Sequence, residues 1–484
     1  MEKVPPISDK PVSRRRFLGS AAAVTATGVG LLAGATVAND APARKTRRNA
    51  HTDYDVIIVG GGFSGITAAR DCQKNGLRTV VFEAKSRLGG RTFDTQFRGH
   101  HIELGGTWVH WAQPSVWAEV ARYGLEVEET PGASPERMVA IVDGKPTAYA
   151  TQERIEEIVT GLGTFFAESS LVWARPYDSK FQWTEIQSRD AMTAADRLKA
   201  LTLTPLQRAT LVPMVEAMGH CPMDQISYTE MLRWWSSGLN NFATVNDTMA
   251  RFKLKEGTGA LARHIAADGK AEVRLSTPVK RIEKRGEVYV VSPRNGESAS
   301  ARAVILALPP RVLTSIDIIP GLSSVKQTAA REGFTTSGMK YYVEVKGRQG
   351  RVEMLSSAQY RAGLLWTYAE LANSTLMVGF APHPKAFDSN DEESVQTVLR
   401  QFQPDLEVLG SVSYGWGSDP FALGTYSSFA PSGVTRFHTE LARPEGAIFM
   451  AGGDIGDHTW RGFIDGAIAR GTRVAREVSE SLVS

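Results

Sequence analysis

The residues with the clearest chemical potential form a glycine-rich run from Gly60 to Gly65, followed about 20 positions later by the acidic Glu83. In this GxGxxG spacing, Gly60 permits a tight turn, Gly62 lets the backbone approach a pyrophosphate, and Gly65 lets a helix pack on a strand. A carboxylate in the position of Glu83 can accept hydrogen bonds from the ribose hydroxyls of an adenosine. The pattern therefore indicates the binding of a dinucleotide.

The elements that must position these residues can be predicted on either side of the glycines. The apolar run 55–59 is typical of a buried parallel strand, and an amphipathic helix opens at Phe63 and Ser64 and extends to about Lys74. The N-terminus of such a helix favours negative charge. A second strand, 79–82, ends immediately before the acidic residue. The order strand, glycines, helix, strand and acid is the context that the dinucleotide motif requires.

Two further glycine-containing segments, 88–92 and 103–108, favour a flavin dinucleotide over a nicotinamide one because a flavin needs a longer binding path. The planar guanidinium group of Arg91 can donate paired hydrogen bonds to pyrophosphate oxygens. The alternative is that Arg91 forms a surface salt bridge. Glycine pairs let the backbone run close to a flat ring. The predicted FAD-contacting residues in these segments are Gly90, Arg91, Gly105, Gly106 and Thr107.

Composition excludes several other classes of protein. A chain of 484 residues with 42% hydrophobic and 22% charged residues is long enough for about three globular units. The net charge of +3 resides in the first 38 residues, so the remainder lacks the basic surplus of a nucleic-acid binder, and no nucleic-acid partner is expected. Only Cys72 and Cys221 are present, without a vicinal redox pair or a zinc motif, so a disulfide reductase and a metal site are not expected.

The N-terminus has the pattern of an export signal. Residues 13–18 read Ser-Arg-Arg-Arg-Phe-Leu, and an uncharged, Ala- and Gly-rich stretch follows to residue 38. This looks like a twin-arginine signal over 1–38 with a linker over 39–50, and a transmembrane anchor is the alternative. The twin-arginine route carries folded proteins, so we expect a periplasmic protein whose cofactor is loaded before export.

Three separated segments carry a resemblance to a known family: 83–92, 104–110 and 451–467. Together they resemble the flavin-dependent monoamine oxidase family, over about residues 53–480. The resemblance implies an α/β fold in which a Rossmann-like FAD-binding domain is interleaved with an α+β substrate-binding domain. The implied segments are 51–130, 250–318 and 416–484 for the FAD-binding domain, and 131–249 and 319–415 for the substrate-binding domain.

Patterns within these segments predict secondary structure. Helical patterns dominate about residues 131–250, including 153–166 and 191–203. Segments 272–275 and 277–279 then lead into 288–291 in a run typical of a hairpin.

The resemblance also assigns cofactor contacts that spacing alone does not. Trp416 matches a tryptophan packed near the flavin ring, and the region of Val279 passes the adenine in the family. Because Thr425 stands where covalent members have a cysteine, the FAD is expected to be held noncovalently. The remaining contacts implied by the resemblance are Ala84, Gly453, Asp454 and Ile464.

Few acid or base groups are needed to oxidise an amine, since the flavin supplies the chemistry and the protein orients and desolvates the substrate. The resemblance places Tyr426 and Phe463 as two aromatic cage positions, and Lys340 as the holder of a water near flavin N5. Trp108 and Trp366 are expected to wall the substrate cavity. The alternatives are ordinary core packing for the aromatic residues and a solvent-facing side chain for the lysine.

Within the family, segments such as 123–130 and 461–467 look most like bacterial enzymes of nicotine degradation. The resemblance therefore implies oxidation of pseudooxynicotine, a secondary amine, to an imine that water cleaves to an aldehyde and methylamine. Nicotine, polyamine or amino-acid oxidation, and a nonenzymatic flavin-binding role, remain open. So does the electron acceptor: oxygen, a cytochrome or a copper protein. A homodimer is the family expectation, and residues 456–460, one residue longer than the family pattern, receive no role.

Overall fold

The computed structural model describes residues 52–483. The predicted twin-arginine signal, 1–38, and linker, 39–50, lie outside these residues. Within 52–483, no helix is long and apolar enough to cross a membrane.

Strands supply the two sheets that dominate the described residues. They are β1 (Tyr54–Val59), β2 (Thr79–Phe82), β3 (Asp94–Phe97), β4 (His100–Glu103), β5 (Val127–Glu129), β6 (Arg137–Val142), β7 (Lys145–Ala150), β8 (Phe252–Leu254), β9 (Glu272–Arg274), β10 (Val279–Arg285), β11 (Val288–Pro293), β12 (Ala299–Ala307), β13 (Asp317–Ile319), β14 (Met339–Lys346), β15 (Val352–Leu355), β16 (Leu364–Glu370), β17 (Ser374–Ala381), β18 (Val408–Ser413) and β19 (Ile448–Ala451).

Helices flank these sheets. They are α1 (Phe63–Lys74), α2 (Pro114–Tyr123), α3 (Thr151–Phe165), α4 (Ser169–Val172), α5 (Trp183–Arg189), α6 (Ala194–Lys199), α7 (Pro205–Gly219), α8 (Tyr228–Ser237), α9 (Phe242–Ala250), α10 (Thr258–Gly269), α11 (Ser324–Glu332), α12 (Glu392–Leu399), α13 (Gly433–Ala442) and α14 (Ile464–Val483), with 3₁₀ turns at Pro131–Ala133, Pro310–Ser315 and Ala358–Tyr360.

The first large sheet is built around β1, which lies between β12 and β2 and is parallel to both. Its full order is β13-β10-β11-β12-β1-β2-β9, and β19 pairs with the end of β12. Val56, Ile57 and Ile58 of β1 are completely buried, as expected for a strand covered on both faces. Helices α1 and α14 cover one face through a shared apolar cluster. The predicted strand-helix-strand start of the fold is therefore confirmed.

The second large sheet has the order β18-β14-β17-β16-β15-β6-β7. Its two faces pack into different cores because side chains alternate along each strand. One face packs against α12. The other packs against the helices between β7 and β8, and this face also borders the site described below.

The strands of each sheet come from separate parts of the chain. Those of the first sheet lie in the segments expected for FAD binding, with β13 crossing the boundary at residue 318. Those of the second lie within 131–249 and 319–415. The domain boundaries themselves stay a prediction.

Two expectations for the secondary structure need correction. The region 131–250 is not helical throughout, since it opens with β6 and β7, and β6 pairs in parallel with β15 more than 200 residues later. That pairing stabilises the strand by tertiary contact, which a local pattern does not reveal. The helix expected over 191–203 is only α6, because Thr193 caps its start and a new helix is capped by Thr204. Of the hairpin-like run expected over 272–291, residues 279–291 are confirmed by the antiparallel pair β10–β11, whereas 272–274 form β9, which pairs in parallel with β2 instead.

Candidate active site

One cavity, about 310 Å³ in volume, is lined by residues of both large sheets. It begins at the carboxyl ends of β1 and β2, the edge at which open α/β sheets bind ligands. It continues to a group of aromatic side chains. Every predicted site residue lines this cavity except Gly65, Ala84 and Val279.

These three residues lie elsewhere for different reasons. Gly65 lies inside α1, where a Cβ atom would be 1.9 Å from the Gly60 carbonyl oxygen, so its role is helix–strand packing. Ala84 lines a separate, open depression beside Lys85. Val279 is buried in the apolar core of the first sheet. The resemblance implies that Ala84 and Val279 contact the cofactor, but their side chains do not line the cavity.

The nucleotide end of the cavity is built from backbone. Gly60 adopts φ = 106°, and a Cβ atom there would be 2.4 Å from the Ala307 carbonyl oxygen, so only glycine fits. Gly62 precedes the first turn of α1, which has no side-chain cap and no acidic residue. The hydroxyl of Ser64 accepts a hydrogen bond from the Gly452 N–H at 2.9 Å and ties this turn to the end of β19. The uncapped helix N-terminus faces the cavity and suits a phosphate.

Glu83 is held rigidly at the end of β2. Its Oε2 accepts from the Gly61 N–H at 2.6 Å, and its Oε1 accepts from the Lys85 N–H at 2.7 Å. Burial raises the pKa of Glu83, and the two backbone hydrogen bonds oppose that rise. Each carboxylate oxygen retains a second lone pair. The side chain can therefore still accept from a ribose hydroxyl, as the sequence predicts.

Arg91 and Asp454 meet midway along the cavity. Nη2 of Arg91 donates to Oδ2 of Asp454 at 2.5 Å, and Nη1 donates to the Thr425 carbonyl at 3.3 Å. The ion pair joins two cavity residues, so the alternative of a surface salt bridge for Arg91 is wrong. Oδ1 of Asp454 is buried without a hydrogen-bond partner among the described residues. An orphaned acceptor of this kind fits a hydroxylated chain such as the ribityl part of a flavin.

Tyr426 and Phe463 lie at the aromatic end and share one neighbour, Trp234 of α8. The ring centroids of Trp234 are 5.8 Å from Tyr426 and 4.8 Å from Phe463. His220 stacks on Tyr426 with centroids 4.7 Å apart and planes at 22°. Burial lowers the pKa of His220 to about 3, so this ring is neutral at pH 7. No motif marks Trp234 or His220, although the adjacent Trp234-Trp235 pair signals an aromatic cluster.

A second aromatic group continues from the first, because the ring centroid of Phe380 lies 6.4 Å from that of Tyr426. The rings of Trp108, Trp366 and Phe380 lie 5.3 to 6.0 Å apart. The indole N–H of Trp108 donates to the Thr130 hydroxyl at 3.0 Å, whereas that of Trp366 is buried without a partner. Both tryptophans line the cavity while also contacting the apolar core, so they wall the site as predicted.

Lys340 extends from β14 into the middle of the cavity and is 3% exposed, so the solvent-facing alternative is wrong. Its Nζ donates to the carbonyls of Glu103 and Gly105 at 2.7 and 2.8 Å and to the Thr107 hydroxyl. Burial lowers the pKa of this lysine and raises that of the Glu103 carboxyl. Each of the three hydrogen bonds that Nζ of Lys340 donates already has an acceptor in the protein. A water bound by Lys340 would therefore share or replace one of these three acceptors.

The remaining predicted residues complete the cavity wall. The indole N–H of Trp416 donates to the Leu104 carbonyl at 2.8 Å, which fixes its ring beside the backbone of the 103–108 segment. Ile464 begins α14 and borders Gly106. In the longer 456–460 segment, Asp457 accepts from His438 at 2.8 Å, and neither it nor His458 lines the cavity.

A glycine-lined nucleotide end and an aromatic end in one cavity are the features that a flavin amine oxidase requires. The sequence profile of flavin containing amine oxidoreductases matches residues 63–479. The chain belongs to this family. A flavin is accordingly the cofactor of this amine oxidoreductase, and the glycine cradle and the orphaned Asp454 oxygen fit it.

Relatives of this amine oxidoreductase include enzymes named for nicotine and its derivatives. It is 37% identical to the pseudooxynicotine dehydrogenase of a Pseudomonas species, covering 98% of this chain and 97% of the relative. Identity to the nicotine dehydrogenase of Pseudomonas putida is 34%, over 97% and 98% of the two chains. The (S)-6-hydroxynicotine oxidase of Paenarthrobacter nicotinovorans is 27% identical, over 86% and 97%.

Solved structures agree on the fold. A putrescine oxidase variant superposes with a TM-score of 0.75 at 20% identity, covering 88% of this chain and 98% of the other. Cyclohexylamine oxidase from Brevibacterium oxydans gives 0.74 at 20% identity, over 89% and 99%. The expected α/β flavin amine oxidase fold is therefore confirmed.

Proposed function

We propose that this enzyme uses FAD to oxidise pseudooxynicotine at the C–N bond of its secondary amine. The observation that carries the proposal is the single cavity that joins the nucleotide end to the aromatic pair Tyr426 and Phe463. The 37% identity to a pseudooxynicotine dehydrogenase over nearly the whole chain supports the choice of substrate. The products are the reduced cofactor and an imine, which water cleaves to an aldehyde and methylamine.

The cofactor, when bound, accepts the hydride equivalent from the carbon next to the amine nitrogen. The protein orients and desolvates the substrate. Tyr426 and Phe463, both held against Trp234, present aromatic surface to the amine, while Trp108 and Trp366 exclude water from the adjoining wall. Lys340 positions the water that attacks the imine carbon, because its nitrogen can share with that water one of the three hydrogen bonds that it donates.

The FAD in this proposal is held without a covalent bond. Thr425 takes the position expected for an attachment cysteine, and both cysteines of the chain, Cys72 and Cys221, are buried outside the cavity. Denaturation in acid should therefore release all of the yellow colour into the supernatant after precipitation. Colour that stays with the protein pellet would contradict noncovalent binding.

The electron acceptor in this proposal is a redox protein, a small cytochrome or copper protein, rather than oxygen. The relatives at 37% and 34% identity are named dehydrogenases, whereas the one at 27% is named an oxidase. Reduced enzyme should be reoxidised at least tenfold faster by such a protein than by air-saturated buffer. Equal or faster reoxidation by air would identify the protein as an oxidase.

The cellular setting completes the proposal. The twin-arginine pattern at 13–18 supports periplasmic export of a folded, FAD-loaded homodimer. Replacement of Arg14 and Arg15 by lysine should retain the protein in the cytoplasm in a cell fractionation, while sedimentation of the purified enzyme tests the dimer.

The decisive experiment is anaerobic stopped-flow mixing with pseudooxynicotine, nicotine, spermidine and a primary arylalkylamine, following flavin absorbance. Fast bleaching by pseudooxynicotine is expected. Nicotine is the second candidate because of the 34% identity to a nicotine dehydrogenase, and faster bleaching by nicotine would favour it. No bleaching by any amine would refute an amine-oxidising function and favour a flavin-binding role.

A further inference from the structure

The floor of the cavity is a row of side chains on one face of the second sheet. Lys340 pairs with Phe380, and Phe380 with Leu364. Trp366 lies two residues beyond Leu364 on β16, and therefore on the same face of the sheet, and it pairs with Glu353 of β15. All five line the cavity. Three strand spacings, about 14 Å of sheet, therefore separate the strand of the lysine from that of the glutamate.

Glu353 is the unusual member of this row. Its carboxyl forms no hydrogen bond and no ion pair with any described residue, although it lies among apolar neighbours such as Trp366 and Met138 on the adjacent strands. Burial raises the pKa of Glu353 to about 8. At pH 7 the group is therefore mostly a neutral acid that can donate one O–H hydrogen bond.

An acid without a partner in a binding cavity costs stability, so its presence points to a ligand group. A neutral O–H donor matches an uncharged acceptor, whereas an ammonium group would need the ionised carboxylate. Pyridine nitrogen is such an acceptor, and it stands at the end of pseudooxynicotine opposite the amine. A substrate with its amine toward Tyr426 and its ring toward Trp366 would place that nitrogen at the far end of the row.

We propose that Glu353 is a specificity-determining residue that donates a hydrogen bond to the ring nitrogen of a pyridyl amine substrate. The inference rests on the proposed function, since it names the group that recognises the far end of the same substrate. It assigns no part of the oxidation step to Glu353.

The test compares pseudooxynicotine with its phenyl analogue, 4-(methylamino)-1-phenylbutan-1-one, in wild type, Glu353→Leu and Glu353→Gln. Loss of one buried hydrogen bond corresponds to about a tenfold change in affinity. We expect Glu353→Leu to raise KM for the pyridyl substrate about tenfold, with little change in kcat and little change for the phenyl analogue. Glu353→Gln keeps a donor and should restore most of the pyridyl preference.

Thr229→Val is the control, because it removes a buried hydroxyl without a hydrogen-bond partner among the described residues, on α8 and outside the cavity. Its kinetics should match wild type with both substrates. Equal KM changes for the pyridyl and phenyl substrates in Glu353→Leu would overturn the proposal. So would a wild-type preference for a linear diamine that disappears in that variant, since this would show an ionised carboxylate.

A binding measurement separates this inference from the substrate proposal. Titration of the oxidised holoenzyme with 3-acetylpyridine and with acetophenone, followed by the flavin spectrum, needs no turnover. A tighter Kd for 3-acetylpyridine in wild type, lost in Glu353→Leu, would support the donor role even if no tested amine reduced the flavin. Equal Kd values for the two ketones in wild type would refute it.

Discussion

Lys340→Met separates a chemical role for the buried lysine from a structural one. Methionine fills a similar volume but cannot donate to the Glu103 and Gly105 carbonyls or to the Thr107 hydroxyl. At about 1 kcal/mol for each hydrogen bond, the three lost bonds lower the free energy of unfolding by about 3 kcal/mol. Because methionine has no charge to desolvate, the net loss should be about 1 to 2 kcal/mol, which leaves a folded enzyme.

The kinetic effect should exceed the effect on stability. Loss of the group that positions the attacking water costs about 100-fold in the step that it assists. The flavin content of Lys340→Met should be near that of wild type. Stopped-flow absorbance should show that flavin reduction, flavin reoxidation or aldehyde release is slower by that factor. Lys253→Met is the matched control, since Lys253 is also buried, pairs with Glu128 at 3.1 Å and does not line the cavity.

The chemical role would be refuted by a specific combination of results. If Lys340→Met lowered Tm while all three rates stayed within twofold of wild type, the lysine would serve only to hold the backbone of the 103–107 segment. Equal rate losses in Lys340→Met and Lys253→Met would likewise point to general destabilisation.

Three further predictions address packing, the aromatic wall and pH. Gly65→Ala should lower both Tm and flavin content, because its Cβ would be 1.9 Å from a carbonyl oxygen, whereas Gly163→Ala meets nothing within 4 Å and should leave both near wild type. Tyr426→Ala should lower kcat/KM about tenfold or more with flavin content unchanged, and an equal loss of flavin would mark a structural residue. Burial raises the pKa of Glu216 to about 8, above the unfolded value of 4.5, so the folded state holds a proton that the unfolded state releases in this window. Stability is therefore lost as pH rises from 4.5 to 8, by up to about 1.4 kcal/mol per pH unit. Glu216→Gln can still accept a hydrogen bond from the Ala358 N–H. Denaturant titrations at pH 5 and 8 should show a smaller loss of stability with pH in this variant than in wild type. A loss as large as that of wild type would contradict the raised pKa of Glu216.

The nucleotide end of the site could be predicted because its signals are local. Gly60, Gly62 and Glu83 lie on one continuous strand-helix-strand unit, and Gly60 is required by its backbone angle and by the clash that a Cβ atom would make with the Ala307 carbonyl. The aromatic end was accessible only through family resemblance, since Tyr426 and Phe463 have no spacing that marks them.

Other features depend on contacts between distant parts of the chain. Strand β6 forms through pairing with β15, and Glu353 reaches the cavity through the same pairing. His220 reaches it by ending helix α7 in a left-handed conformation, with φ = 52°. Each of these positions depends on sheet register or on a helix terminus, and neither is encoded by a motif.

The contact between the first and last helices has a consequence for biosynthesis. Gly471 of α14 packs so closely on α1 that a Cβ atom would lie 2.5 Å from the Ser64 carbonyl oxygen, and Asp454 and Tyr426 also come from the final part of the chain. A nascent chain therefore lacks Tyr426, Asp454 and the contact of α14 with α1 until these residues have been synthesised. Contacts of such long sequence separation form slowly. Capture of the cofactor must accordingly wait for the synthesis of α14, and a chain that lacks this helix would expose the apolar face of α1 to chaperones and proteases.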